Sequence, residues 1–434
     1  MKCSVQHSPE SQRPQVIPAK AGIHLTWAPA CAGATTKIFA RSGGPKAHAR
    51  SVRQHLRTVF IAASAFNLLL LTFSLWAAVQ APPALKDAFK GSFLIGAALN
   101  PGEFTESEVR AAALVKAQFD SITPENVLKW EIVHPEADRY DFDLPDKYVA
   151  FGEKNHMFIV GHTLVWHHQT PRWVFEDATG NPVDRETLLK RLREHIQTVV
   201  GRYKGRISGW DVVNEALNDD GTLRQTPWLK IIGEEYIAKA FEFAHEADPK
   251  AELYYNDHSL EIEAKRSGAI ELIKKLRAQG LPVTGVGLQG HYGMEWPSVE
   301  QLDAAIAGFA KLGVKVMITE LDVDVLPPAM QYRGADISAN VELQPKLNPY
   351  TNGLPDSVQQ ALAKRYAGLF AVFLKHRGVL TRVTFWGVTD ASSWLNNWPV
   401  RGRTSYPLLF DREGRPKPAF DAVIEAAHRA SAAK

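Results

Sequence analysis

The stretch WDVVNEA, Trp210 to Ala216, decides how the chain is read. It has the pattern of a short β-strand. Val212 and Val213 suit the inside of a sheet or barrel, and the polar pair Asn214 and Glu215 follows where the strand stops. A carboxylate at the C-terminal end of a strand is where β/α barrels carry their chemistry. A second stretch, Val314 to Val323 (VKVMITELDV), repeats the pattern, an apolar β-branched strand leading to Glu320.

Working outward, the same alternation of short apolar strand and amphipathic helix continues. Strands are expected at 93–98, 119–122, 158–164, 208–214, 252–256, 284–289, 315–319 and 382–387. Between the third and fourth, Leu188, Leu189, Leu192, Ile196, Val199, Val200 and Tyr203 recur at helical spacing, and similar stripes lie near 234–246, 262–279, 299–312, 357–376 and 418–429. Eight β/α alternations with no second zone of composition predict a single (β/α)8 TIM barrel over residues 82–434. An open doubly wound sheet is the structural alternative. No Gly-rich phosphate loop follows the first strand, which argues against nucleotide binding.

Composition is ordinary for a globular chain: 434 residues, 45% hydrophobic, 22% charged. The net charge of +3 hides an asymmetry. Residues 1–81 hold nine Lys/Arg against one acid, Glu10, so 82–434 keeps 41 basic and 46 acidic residues, a net −5. That sign leaves no footprint for nucleic acid. The two cysteines, Cys3 and Cys31, both precede residue 82, which leaves the expected barrel no cysteine metal site or disulfide.

Residues 1–50 lack periodicity and read as an unstructured leader. Residues 51–81 read as a signal peptide or membrane anchor: Arg50, Arg53 and Arg57 precede an uncharged run from Thr58 to Leu85, and small residues surround Ala77, Ala78 and Ala81. The segment lies unusually far from Met1, and no other Met precedes Met157, so translation is expected to start near Val52 at a non-Met codon. Pro82 disfavours cleavage directly after Ala81. The competing expectation is a tether through 58–79, since ~20 apolar residues span a bilayer. Either way the barrel is expected to be exported, secreted or periplasmic.

Seven stretches, in order, carry a resemblance: ITPENVLKWE (122–131), GHTLVWHHQTPRW (161–173), WDVVNEA (210–216), YYNDHSLE (254–261), GVGLQGHY (285–292), ITELDV (318–323) and FWGVTDASSWL (385–395). Together they resemble glycoside hydrolase family 10, the endo-β-1,4-xylanases. The resemblance implies Glu215 as acid/base and Glu320 as nucleophile, acting with retention of configuration, supported by Asn214, His291 and Asp322. It implies sugar contacts from Glu125, Asn126, Lys129, His162, Trp166, Gln169, Tyr255, Asn256, Gln289, Trp386 and Trp394. The physical chemistry agrees. Two carboxyls held at different proton affinities can protonate a leaving oxygen and trap an oxocarbenium-like centre, and flat aromatic faces suit pyranose rings. Trp173, Trp210 and Trp398 are expected in the core, and His167 and His168 are left unassigned. No metal and no cofactor are expected: there is no paired-His motif with a helical Glu and no nucleophilic Ser elbow.

The partner implied is xylan or xylo-oligosaccharide, with no protein partner. A related barrel glycosidase acting on β-1,4-glucan, or a non-catalytic, membrane-tethered xylan-binding protein, are the alternatives. The polar segment from Leu326 to Ser357 is expected to lie on the leaving-group side and to tune which decorated xylans fit.

Overall fold

The computed structural model describes residues 84–329 and 340–432. The expected leader, the signal or tether segment, both cysteines and part of the Leu326–Ser357 segment lie outside the described residues. Among the described residues no helix is long and apolar enough to cross a membrane.

Among the described residues there are nine strands: β1 (Leu94–Leu99), β2 (Ser121–Pro124), β3 (Phe158–Val165), β4 (Gly209–Asn214), β5 (Glu252–Asp257), β6 (Gly285–Leu288), β7 (His291–Gly293), β8 (Lys315–Asp324) and β9 (Leu380–Phe385). Eight of them form a closed parallel ring in the order β6-β5-β4-β3-β2-β1-β9-β8, and β8 pairs back onto β6. This is the (β/α)8 barrel expected from the alternation. The expected sixth strand is split. Gly290 has a φ of +89°, a left-handed conformation that ends β6. His291 then resumes as the short β7, which pairs with the outer end of β8, His291 opposite Asp322. For the same reason β8 does not stop at Glu320 but runs on to Asp324.

Each barrel strand leads into a helix, among them Arg185–Arg202, Glu235–Ala247, Glu263–Ala278 and Asp356–Lys375. The Arg185–Arg202 helix shows the local logic. Asp184 caps it by accepting from the Thr187 backbone N–H at 2.7 Å. Leu188, Leu192, Ile196, Val199 and Val200 are fully buried on one face, and each such side chain contributes about 1.5–3 kcal/mol of burial. The charged residues occupy the other face, so the helix has one way to dock. Val316, Met317 and Ile318 of β8 are fully buried on both faces of the sheet, as a barrel strand requires.

Candidate active site

The C-terminal ends of the strands gather the predicted residues at one mouth. β4 delivers Asn214, and the chain then turns through Glu215 at φ +59°. That left-handed conformation is uncommon for a non-glycine residue and marks a position fixed by its surroundings. The Glu215 backbone N–H is anchored on the Asn256 carbonyl at 2.9 Å. Its side chain is 3% exposed. One carboxyl oxygen accepts from the Trp166 indole at 2.8 Å and the other from the Gln289 amide at 2.9 Å. Burial pushes this carboxyl up, repulsion from Asp257 adds to it, and the two neutral donors only partly oppose the rise.

Glu320 sits on β8, 5% exposed. Oε1 accepts from Asn256 Nδ2 at 2.7 Å and Oε2 faces His291 Nε2 at 3.2 Å. The other His291 nitrogen faces Asp322 at 3.1 Å, and that same Asp322 oxygen accepts from the Trp394 indole at 2.7 Å. Burial alone would push the imidazolium down, but Asp322 and Glu320 overcome it and raise His291 to about 10. Burial likewise pushes Glu320 up, yet the hydrogen bond and charge of His291, with His162 and Asn256, hold it below the ordinary carboxylate value.

Amides bridge the two carboxyls. The Asn214 oxygen accepts from Asn256 at 2.9 Å and Gln289 at 3.3 Å. The reverse orientation would set NH2 against NH2, so the network fixes the amide this way. Thr319 donates to the Asn256 oxygen at 2.6 Å. Beneath it is Gly287, where an added Cβ would come within 2.2 Å of that oxygen.

The other predicted contacts form one wall of the mouth. Asn100 donates to Glu125 at 2.6 Å, and Lys129 and Gln169 both donate to the Asn126 oxygen at 3.2 Å. Burial pushes the Glu125 carboxyl up and the Lys129 ammonium down, each opposed by the other's charge. The Lys129 ammonium stands 4.9 Å from the Trp166 ring centre. His162 pairs with Asp211 at 3.0 Å, and Trp386 meets the His162 and His291 rings edge-on.

One predicted residue is not brought to this group. Tyr255 is fully buried and its hydroxyl donates to Asp257 at 2.5 Å. Successive strand side chains alternate faces, so with Asn256 at the mouth, Tyr255 points the other way. Trp210 is core as expected, but Trp398 is half-buried and stacks on Trp394 at 4.5 Å, beside the mouth. Sequence reasoning also passed over Asp211, Thr319 and Asn100. The first two lie inside the quoted motifs WDVVNEA and ITELDV, which was a usable signal.

A family model described as glycosyl hydrolase family 10 matches residues 84–426. An endo-1,4-beta-xylanase A of Xylanibacter ruminicola is 45% identical over 360 residues, covering 83% of this chain and 98% of the relative. A beta-1,4-xylanase of Dictyoglomus thermophilum is 44% identical over 365 residues, covering 82% and 96%. Among solved structures, a GH10 endoxylanase retrieved from a sugarcane soil metagenome superposes with a TM-score of 0.77 at 45% identity, covering 79% of this chain and 99% of that one. Since the match takes in every strand and every residue of the site, the chain belongs to glycosyl hydrolase family 10.

Proposed function

We infer that the protein is an endo-1,4-β-xylanase that hydrolyses internal β-1,4-xylosidic bonds of xylan or xylo-oligosaccharides with retention of configuration. One observation carries the reading: two buried glutamates at one barrel mouth, one driven toward its protonated form and the other held ionised. Glu215 gives its proton to the glycosidic oxygen as the bond to the anomeric carbon breaks, and Glu320 attacks that carbon from the opposite face. In the second step Glu215, now a carboxylate, takes a proton from water, and water displaces Glu320. Asn214 would donate to the sugar 2-hydroxyl. Glu125, Asn126, Lys129 and Gln169 supply a polar wall for a sugar further along the chain. Support for xylan comes from the xylanases named above and from a solved structure in complex with xylotriose, 38% identical with a TM-score of 0.70.

The test is reducing-end release from xylan and from a soluble β-1,4-glucan, with Glu320→Ala as control and the first product anomer read by NMR. Xylan turnover well above glucan turnover, giving the β-anomer first and lost in the variant, supports the reading. Equal glucan turnover, or an α-anomer first, sinks it.

We also propose that the protein is exported. The support is the basic, apolar and small-residue order of residues 50–81. Terminal peptide analysis of the native protein separates the outcomes. A first residue near 82 in the medium or periplasm fits a cleaved signal, membrane-fraction protein retaining 58–79 fits a tether, and cytoplasmic protein retaining 1–49 refutes export.

A further inference from the structure

The chain doubles back directly after the acid. Leu217 bridges to Leu223 in antiparallel fashion, and the Arg224 backbone N–H donates to the Ala216 carbonyl at 2.8 Å. At the tip Gly221 has φ +85°, and a Cβ there would come within 2.5 Å of the Ala264 carbonyl. The hairpin therefore rests closely on the Glu263–Ala278 helix and returns Arg224 to the side of Glu215. The Arg224 guanidinium donates from Nε to the Glu215 carbonyl at 3.2 Å and from Nη2 to the Leu217 carbonyl at 3.3 Å. The same Nη2 faces His258 Nε2 at 3.4 Å.

An arginine can only donate, so this His258 nitrogen is the acceptor and the ring proton sits on Nδ1, 3.0 Å from Ser259 Oγ. Burial, with the charge of Lys265 beside it, holds the imidazole well below its usual range, so it stays neutral and keeps that acceptor. Glu215 and Ser259 are both left-handed, at φ +59° and +56°, and stand at the two ends of this relay. A non-glycine residue keeps such a conformation only where its surroundings over-determine it. Glu215 is gripped on both sides, its N–H by the Asn256 carbonyl at 2.9 Å and its carbonyl by Arg224. Releasing the carbonyl frees the backbone to relax and swings the carboxyl away from Trp166 and Gln289. A guanidinium suits the task, because it is charged at every working pH and offers several donors in a rigid fork, where an ammonium offers a single point.

We propose that Arg224 is a positioning residue for the acid/base: through the Glu215 and Leu217 carbonyls it keeps the Glu215 carboxyl aimed at the glycosidic oxygen, and His258 holds Arg224 in place. The proposal rests on the xylanase reading above. The experiment measures kcat/KM of the whole protein on aryl β-xylobiosides of graded leaving-group acidity. A dinitrophenolate departs without a proton, whereas a simple phenol needs the one Glu215 supplies. Working sites are counted by trapping Glu320 with a 2-deoxy-2-fluoro xylobioside of dinitrophenol, a reaction that also needs no proton, and rates are taken per trapped site.

Arg224→Met should lose kcat/KM by on the order of 10²-fold on the phenyl substrate, the cost of a misplaced catalytic group. Its loss on the dinitrophenyl substrate should stay within about threefold. Arg224→Lys, which keeps the charge and one donor, should regain about tenfold on the phenyl substrate, and His258→Gln should lose about fivefold there. Equal losses on both substrates, or none, overturn the positioning role. Should Arg224→Met fail to fold and trap no label, the other two variants carry the same comparison, and a wild-type dependence on the leaving group in both overturns it. If the wild-type protein cleaves no xylobioside and traps no label, the xylanase reading itself fails and takes this inference with it.

Discussion

Glu215 and Glu320 are the same side chain at the same barrel mouth, both almost wholly buried, yet their surroundings drive them in opposite directions. Burial pushes both up. What separates them is the kind of donor each is given. Glu215 receives neutral N–H groups, the nearest from Trp166 and Gln289 and a longer one from Asn214, and is repelled by Asp257. Glu320 receives an imidazolium, itself kept charged by Asp322. Neutral donors satisfy a buried carboxyl's hydrogen bonds without compensating its charge; a paired cation does both. One end of the site therefore stores a proton and the other refuses it, and the active window lies between their two ionisations.

The largest effect should come from removing each glutamate and supplying a small anion in its place. Glu320→Ala is expected to lose kcat by on the order of 10⁴-fold or more. Azide should restore turnover by attacking from the vacated face, so that its product has inverted configuration. Glu215→Ala should instead keep turnover of an aryl xyloside with a good leaving group. Azide then intercepts the intermediate on Glu320, and its product shows net retention. The same anomer from both variants would break the division of labour.

Next in size is His291→Gln, which keeps a donor but removes the charge. Glu320 then rises, so the acid limb of the kcat/KM profile moves to higher pH while the alkaline limb, set by Glu215, stays. We expect kcat/KM at the optimum to fall by roughly 10²-fold. Stability carries a second signature. The folded pKa of His291, about 10, lies above its unfolded value, ~6.5. Its contribution is therefore fully present below about pH 6.5 and lost as pH rises through about 10. Denaturant titrations at pH 6 and pH 10 should show a larger wild-type loss than variant loss. An acid limb that stays put would sever the link between His291 and Glu320.

The division between the glutamates was half legible in the sequence. Apolar strands leading to Glu215 and Glu320 gave the barrel and both carboxyls, because strand pattern and carboxylate position are local. Their proton affinities depend on partners far along the chain: Trp166 precedes Glu215, and Asp257, Gln289 and His291 arrive from later in the sequence. Pairing Tyr255 with Asn256 as sugar contacts overlooked a local rule, that adjacent strand residues face opposite ways. Trp398 was assigned to the core because tryptophan usually is; its half-burial and its stacking on Trp394 show otherwise. The end of β8 was misplaced because β7, which extends it, begins after a left-handed glycine that strand pattern does not register.

Two smaller changes act on Glu215 alone and should move its limb in opposite directions. Asp257 lies behind the acid. It accepts from Tyr255 at 2.5 Å, pairs with the fully buried Lys265 at 2.9 Å, and faces the Leu217 backbone N–H at 3.4 Å. Asp257→Asn removes the repulsion, so Glu215 falls and the alkaline limb moves to lower pH. Lys265 is left with the more distant Asp219, at 3.3 Å, and stability should fall by about 3 kcal/mol, the lower end for breaking a buried pair. Trp166→Phe removes a donor to the ionised form. Glu215 then rises, and the alkaline limb moves to higher pH with kcat/KM lower by about tenfold, the worth of one hydrogen bond to a charged group. Its stability cost should be the smaller, since no buried charge loses a partner. Paired pH profiles with both limbs moving the same way would mean that the two side chains act on the shape of the loop after β4. Opposite movement would place the control of the acid in the electrostatics of its two neighbours.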